Sequence, residues 1–211
     1  RVEIGDGVQR DRGSGGAGPD KPSGSGFFKS TDGGATWTDL NDKTASGLPA
    51  KPWGRVAMTI APSNSNVVYA LVEAAPPHNA LYRSDDGGKT WQPRDRSQNM
   101  IWRPFYFANH IVDPKDENKI YKGAGGFIVS NDGGKTFSDI SGAAHGDFHD
   151  LWIDPTATDH LIVGDDGGIW YSYDGGNRWW KGENLPVSQF YHVSVDNDMP
   201  YHVYGGLQDN G

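Results

Sequence analysis

Six side chains in two short segments have the types and spacing for acid–base or ligand chemistry. They are His145, Asp147, His149 and Asp150 in HGDFHD, and Asp165 and Asp166 in GDDGG. Hydrolysis of a glycosidic bond takes two carboxyl groups flanking it, about 5 Å or about 6.5–9.5 Å apart. Asp147 or Asp150 set against Asp165 or Asp166 would supply such a pair, so these four are the candidate catalytic residues. In an extended chain His145, Asp147 and His149 share one side, a row that could hold a divalent metal. A hydrogen-bonded polar network accounts for the same residues without chemistry. Asp-Gly-Gly is also a common turn, so turn shaping competes with catalysis at Asp165 and Asp166. A third set is aromatic: Trp102, Phe105, Tyr106, Phe107, Phe148, Phe190 and Tyr191. Such rings stack on sugars and, with Arg103, suit a peptide; packing between structural units is the plain alternative. Trp102, Tyr106, Phe190, Tyr191, His145 and His149 are the candidate ligand-binding residues, together with Gln208, Asp209 and Asn210.

The elements that must position these groups are repeats. STDGGATW, SDDGGKTW, SNDGGKTF and SYDGGNRW begin at positions 30, 84, 130 and 172, at intervals of 54, 46 and 42 residues. Periods of about 40–50 residues belong to propellers and similar arrays. An apolar run ending in Pro precedes each of the last three copies: VAMTIAP, HIVDP and LWIDP. A further run, HVSVD, has no such motif after it. Each unit holds four short β-branched and aromatic runs divided by Gly, Pro, Asn and Asp, and no useful 3.6-residue period appears. Four strands in about 42 residues make one propeller blade. Within the motif, Gly-Gly accepts positive φ and the Asp side chain can bond backbone N–H groups downstream. Asp32, Asp86, Asp132 and Asp174 are therefore read as structural. The aromatics that follow, Trp37, Trp91, Phe137 and Trp179, are expected to be buried between blades.

Composition narrows the function. Eight Trp, nine Tyr and eight Phe supply a core, while 35% hydrophobic residues and 30 Gly favour short strands and tight turns. The net charge of −8 argues against nucleic acid and anionic membrane surfaces. No run approaches the roughly 18 apolar residues that span a bilayer. There is no Cys, which excludes disulfides, thiolate catalysis and Cys-ligated metals. No cofactor is called for.

The S-x-D-G-G-x-T-W pattern resembles the Asp-box, or BNR, repeat of sialidases, sortilin-type receptors and xyloglucan-active glycoside hydrolases. The chain is more similar still to bacterial secreted BNR-repeat proteins described as sortilin-like or glycosyl-hydrolase-like. GSGFFKSTDGG (24–34), HGDFHDLWIDP (145–155), DDGG (165–168), SQFYHVSVDND (188–198) and YGGLQDNG (204–211) carry that likeness, which runs from about residue 13 onward. It implies a β-propeller in a secreted or periplasmic bacterial protein. The sialidase arginine triad and Tyr nucleophile have no match here. The xyloglucan-active hydrolases place catalytic Asp residues on propeller loops, one before a Gly-Gly, and Asp166-Gly167-Gly168 has that look.

Together these readings predict an all-β chain. Residues 1–25 form a Gly-rich loop or linker, and 26–211 form about four four-stranded blades with Asp-box turns. The section is incomplete at both ends and part of a larger ring, closed by the remainder of the propeller or by another chain. The motif turns and the first hairpin turns of each blade fall on one rim. The loops between second and third strands and the blade-to-blade connections fall on the other. Those loops are longer and less regular, so function belongs to them. The function expected is non-catalytic recognition of a protein or carbohydrate on that face. The alternative is a glycoside hydrolase acting on β-glucan-type polysaccharide through paired Asp residues.

Overall fold

A computed structural model describes residues 2–4, 26–40, 46–104, 106–185 and 190–207. It is a section of a β-propeller. Blade I holds β1 (Val2–Ile4), β2 (Phe27–Lys29) and β3 (Thr38–Asp39). Blade II holds β4 (Val56–Ile60), β5 (Val68–Val72), β6 (Ala80–Ser84) and β7 (Gln92–Asp95). A short helix, α1 (Gln98–Ile101), lies in the connection to blade III. That blade comprises β8 (His110–Val112), β9 (Ile120–Gly123), β10 (Phe127–Ser130) and β11 (Ser138–Asp139). Blade IV comprises β12 (Asp150–Ile153), β13 (Leu161–Asp165), β14 (Gly168–Ser172) and β15 (Trp180–Lys181). The pair β16 (Phe190–Val195) and β17 (Val203–Leu207) begins a fifth. Blades II to IV are four-stranded antiparallel sheets in sequence order. Within the stretch read as a loop, Val2–Ile4 pairs with β2 as the first strand of blade I.

The motif turns share one hydrogen-bond pattern. In blade II, Ser84 Oγ donates to Asp86 Oδ1 (2.8 Å) and accepts from Gly88 N–H (2.8 Å). Thr90 N–H donates to the same carboxylate (2.8 Å). Equivalent bonds surround Asp32, Asp132 and Asp174. Both glycines of every copy have positive φ, between 71° and 96°; a Cβ there would be strained. Burial alone would raise the Asp86 and Asp132 carboxyls, but the Thr, Ser and backbone donors outweigh it and hold both at about 2. The first glycine donates its N–H to the first hairpin turn of its own blade: Gly87 to Asn66, Gly133 to Asn118, Gly175 to Asp159. The motif turns therefore lie on the rim of those hairpin turns, as expected.

Strand alternation sends successive side chains to opposite neighbours. Val68, Ala70 and Val72 of β5 pack toward Phe27, Trp53 and Trp91 at the junction with blade I. Tyr69 and Leu71 pack with Val112, Ile120 and Ile128 at the junction of blades II and III. Tyr121, Phe127, Leu151, Ile153, Val163 and Trp179 fill the next junction. One expectation is corrected. Trp91 and Trp179 are buried and Phe137 is partly so, but Trp37 is 40% exposed. The motif aromatic wedges against the preceding blade, as the Trp179 indole shows by donating to Ile140 O (2.6 Å). No described residue covers Trp37 in that way.

The outward side of blade IV is open among the described residues. The register equates Ile162 with Tyr69 and Tyr121, and Ile169 with Leu81 and Phe127. The residues in blades II and III are at most 1% exposed, whereas Ile162 and Ile169 are 36% and 42% exposed. No helix among the described residues is long and apolar enough to cross a membrane.

Candidate ligand-binding site

Three segments far apart in sequence meet on the rim opposite the motif turns. The first is the connection between β7 and β8. Its chain turns back at Arg103, where φ is +43° and Tyr106 and Phe107 N–H both donate to Arg103 O. Met100 and Ala108 root it in the junction of blades II and III. The second is the connection between β11 and β12, fixed by Phe148 N–H donating to Ala124 O and His149 N–H to Gly164 O. The third is the β13–β14 turn at Asp165–Gly168.

Their side chains form one aromatic and polar cluster. Trp102 and Phe107 stack with ring centres 5.3 Å apart and planes 5° off parallel. Phe107 stacks on the His149 imidazole at 5.7 Å. Tyr106 stands edge-on to both, 4.8 Å from Phe107 and 5.3 Å from His149. The Arg103 guanidinium lies 5.4 Å from the Trp102 ring centre. Gly125 supports the platform from below, where a Cβ would come within 3.1 Å of the indole. His149 Nε2 is 2.9 Å from Asp166 Oδ1, which fixes the imidazole across two connections. Tyr106 and His149 remain open to solvent.

The carboxylates divide by role. Asp166 engages His149. Asp165 turns inward: its Oδ1 accepts from Gly167 N–H (2.9 Å) and the Trp170 indole (3.1 Å), and its Oδ2 is buried without a described partner. Burial pushes the Asp165 carboxyl up, against those two donors and the nearby His145. Asp150 is exposed and lines both a small pocket under Tyr106, Phe107 and His149 and an adjoining groove of about 360 Å³. Arg55, Thr59, Asn109 and His110 also line that groove, which follows the innermost strands β4 and β8. His145 sits over Gly167, where a Cβ would meet the His145 Cβ at 2.5 Å. Asp147 has φ of +59°, so residues 145, 147 and 149 do not form the extended row that their spacing allowed. Phe190 begins β16 and is exposed. The Tyr191 side chain and Gln208, Asp209 and Asn210 lie outside the described residues.

Among the described residues, the His/Asp group with metal-like spacing lies elsewhere, at Asp196, Asp198 and His202. Its pairing repeats: Asp196 faces His202 as Asp154 faces His160 and Asp113 faces Lys119. In each case the Asp N–H also donates to the partner's carbonyl. This is the recurring closure of the first hairpin turn, which explains the cluster without an ion. Sequence reading passed over two buried residues beneath the platform, His110 and Lys122. Their signal was a basic residue at places that are apolar in the neighbouring blades.

No protein-family model matches the chain. Over 118 residues, half of its length, it is 35% identical to a protein described as a xyloglucanase from Hypocrea jecorina (strain QM6a), and it covers 14% of that protein. Its fold is similar to that of a GH74 enzyme from Niastella koreensis, with a TM-score of 0.55 and 19% identity over 87% of this chain and 30% of that one. It is similar to an ancestral GH74 enzyme with a TM-score of 0.53 and 19% identity, over 88% and 27% of the two chains. The chain thus spans less than a third of the length of each of these proteins.

Proposed function

We propose that this propeller section recognises a neutral glycan of the β-glucan class, xyloglucan being the leading candidate, and does so without cleaving it. The observation that carries the reading is the half-open Tyr106–His149 surface, stiffened by the Trp102–Phe107 stack and locked by Asp166. A rigid aromatic face beside hydrogen-bonding groups suits a sugar ring, and prior ordering lowers the entropy cost of binding. The xyloglucanase relative supports the ligand class. Carboxylates around the mouth disfavour uronates and sulfated sugars by repulsion. On this reading the protein works outside the cytoplasm, where such polysaccharides occur.

Non-catalytic binding fits the carboxylates better than hydrolysis does. Asp165 is committed to its own turn and Asp166 to His149. The hydrolase reading keeps one supporting observation, the raised carboxyl of Asp165 beside a groove-lining Asp150. Calorimetric titration with xyloglucan oligosaccharides, paired with a reducing-end assay, separates the two. Saturable binding without new reducing ends is expected. Turnover abolished by Asp165→Asn would move the site to the hydrolases, and no binding to any neutral glucan would end the proposal.

A further inference from the structure

Blade III departs from its neighbours at two core positions. His110 and Lys122 are direct cross-strand partners. They occupy the places of Met58 and Ala70 in blade II and of Leu151 and Val163 in blade IV. Both are buried. Two basic groups placed opposite each other in a core suffer desolvation and, when charged, repulsion. Packing alone does not account for them.

Their polar atoms converge on one strand of chain. Lys122 Nζ donates to Phe107 O at 2.8 Å and Gly123 O at 3.4 Å, and His110 Nδ1 lies 3.3 Å from Ala108 O. Phe107 and Ala108 close the connection that carries Trp102, Arg103 and Tyr106. A carbonyl only accepts, so an Nδ1–H donates to Ala108 O, and burial disfavours a second proton on the ring. Burial holds His110 down at about 4 and Lys122 at about 8. Lys122 is the charged neighbour of His110. The Tyr69 backbone approaches it from blade II, and Asp150 shares its cavity from blade IV. Among the described residues no carboxylate bonds to either base.

We propose that the His110–Lys122 pair is a positioning device for the aromatic platform. It pins two consecutive carbonyls from beneath and so sets the height and tilt of Phe107, on which Trp102, Tyr106 and His149 all rest. In this role the pair acts through the loop it holds, not through a ligand contact of its own. The consequence for binding rests on the glycan-recognition reading, while the order of the loop does not.

The test uses variants that restore the pattern of blade IV, His110→Leu and Lys122→Val, with hydrogen exchange read in the absence of ligand. Apolar residues already occupy these places in other blades, so melting temperatures are expected to hold or rise. The Tyr106 and Phe107 amides are expected to exchange about tenfold faster in Lys122→Val, which loses a hydrogen bond from a charged group, and about threefold faster in His110→Leu, which loses a neutral one. The Gly88 and Gly134 amides, held by Ser84 and Ser130 Oγ, should keep their protection. His110→Asn retains a donor toward Ala108 O and should restore the loop. Xyloglucan-oligosaccharide affinity should fall about tenfold in Lys122→Val. Unchanged exchange at Tyr106 and Phe107 would overturn the proposal. So would a lowered melting temperature with protection lost evenly across blade III, which would mark a packing role. A wild-type protein that binds no glycan would defeat the functional reading alone, since the exchange result stands without ligand.

Discussion

Tyr106 is 58% exposed and stands perpendicular to Phe107 and His149. Its removal should therefore cost binding and little stability. Tyr106→Ala is expected to weaken xyloglucan-oligosaccharide binding by about 1–2 kcal/mol with an unchanged melting temperature. Equal affinity by calorimetry would remove the ring from the site. His110 makes a pH prediction of opposite character. Its folded value of about 4 lies below the ordinary 6.5 because burial penalises the charged ring. Between those values the unfolded chain binds more protons, so stability falls as pH drops from about 6.5 to about 4. The full loss is on the order of 3 kcal/mol. Denaturant titrations of wild type and His110→Leu across that window should differ in slope, and parallel curves would show that His110 ionises freely in the fold.

At the scale of the element, one motif serves four turns in different surroundings. Asp132 accepts from Ser130, Lys135 and Thr136 and sits in the loop of a finished blade. Asp132→Ala leaves these donors to water, and a loss of about 1–2 kcal/mol is expected by chemical denaturation. The wedge aromatics separate more sharply. Trp91, stacked on Phe27 with centres 5.2 Å apart, is buried. Its change to Ala should destabilise by about 3–5 kcal/mol. Trp37, with the same indole bond to its own motif glycine, is half-open and should lose well under half of that, about 1 kcal/mol. Equal losses at the two positions would mean that Trp37 is covered in solution.

At the scale of the molecule, the described residues form three buried junctions among four blades, and the repeat positions give each junction the same construction. Tyr121 is enclosed at the junction of blades III and IV, while its equivalent Ile162 lies on a face that is open among the described residues. Tyr121→Lys is expected to prevent folding, since it buries an unpaired charge. Ile162→Lys should leave stability within about 0.5 kcal/mol, as for other exposed positions. A cooperative loss in Ile162→Lys, read by thermal melting, would show that the outer side of blade IV is occupied in solution. The rim proposed to bind ligand belongs to the same scale. It is assembled from the connections that leave blades II and III and from the β13–β14 turn of blade IV, so it exists only when these three blades are docked.

The amino-acid sequence by itself determined the repeat, the turns and the strands. Ser-x-Asp-Gly-Gly encodes its own hydrogen bonds within a few residues, and the two-residue alternation in VYALV or FIVS is a local property of a strand with two packed faces. The rim that carries Tyr106, His149 and Asp166 followed from counting strands, because each reversal moves the next loop to the opposite end. The tertiary structure decided what depends on neighbours distant in the chain. Trp37 and Trp91 sit in nearly identical motifs and differ only in what packs against them. Asp165 and Asp166 are adjacent, yet one faces its own turn and the other reaches His149, a choice made by the docking of two connections. His110 and Lys122 read as ordinary polar residues in short runs until the register set them beside Met58, Ala70, Leu151 and Val163. Local chemistry is written in spacing, whereas burial and partnership come from the surface each blade presents to the next.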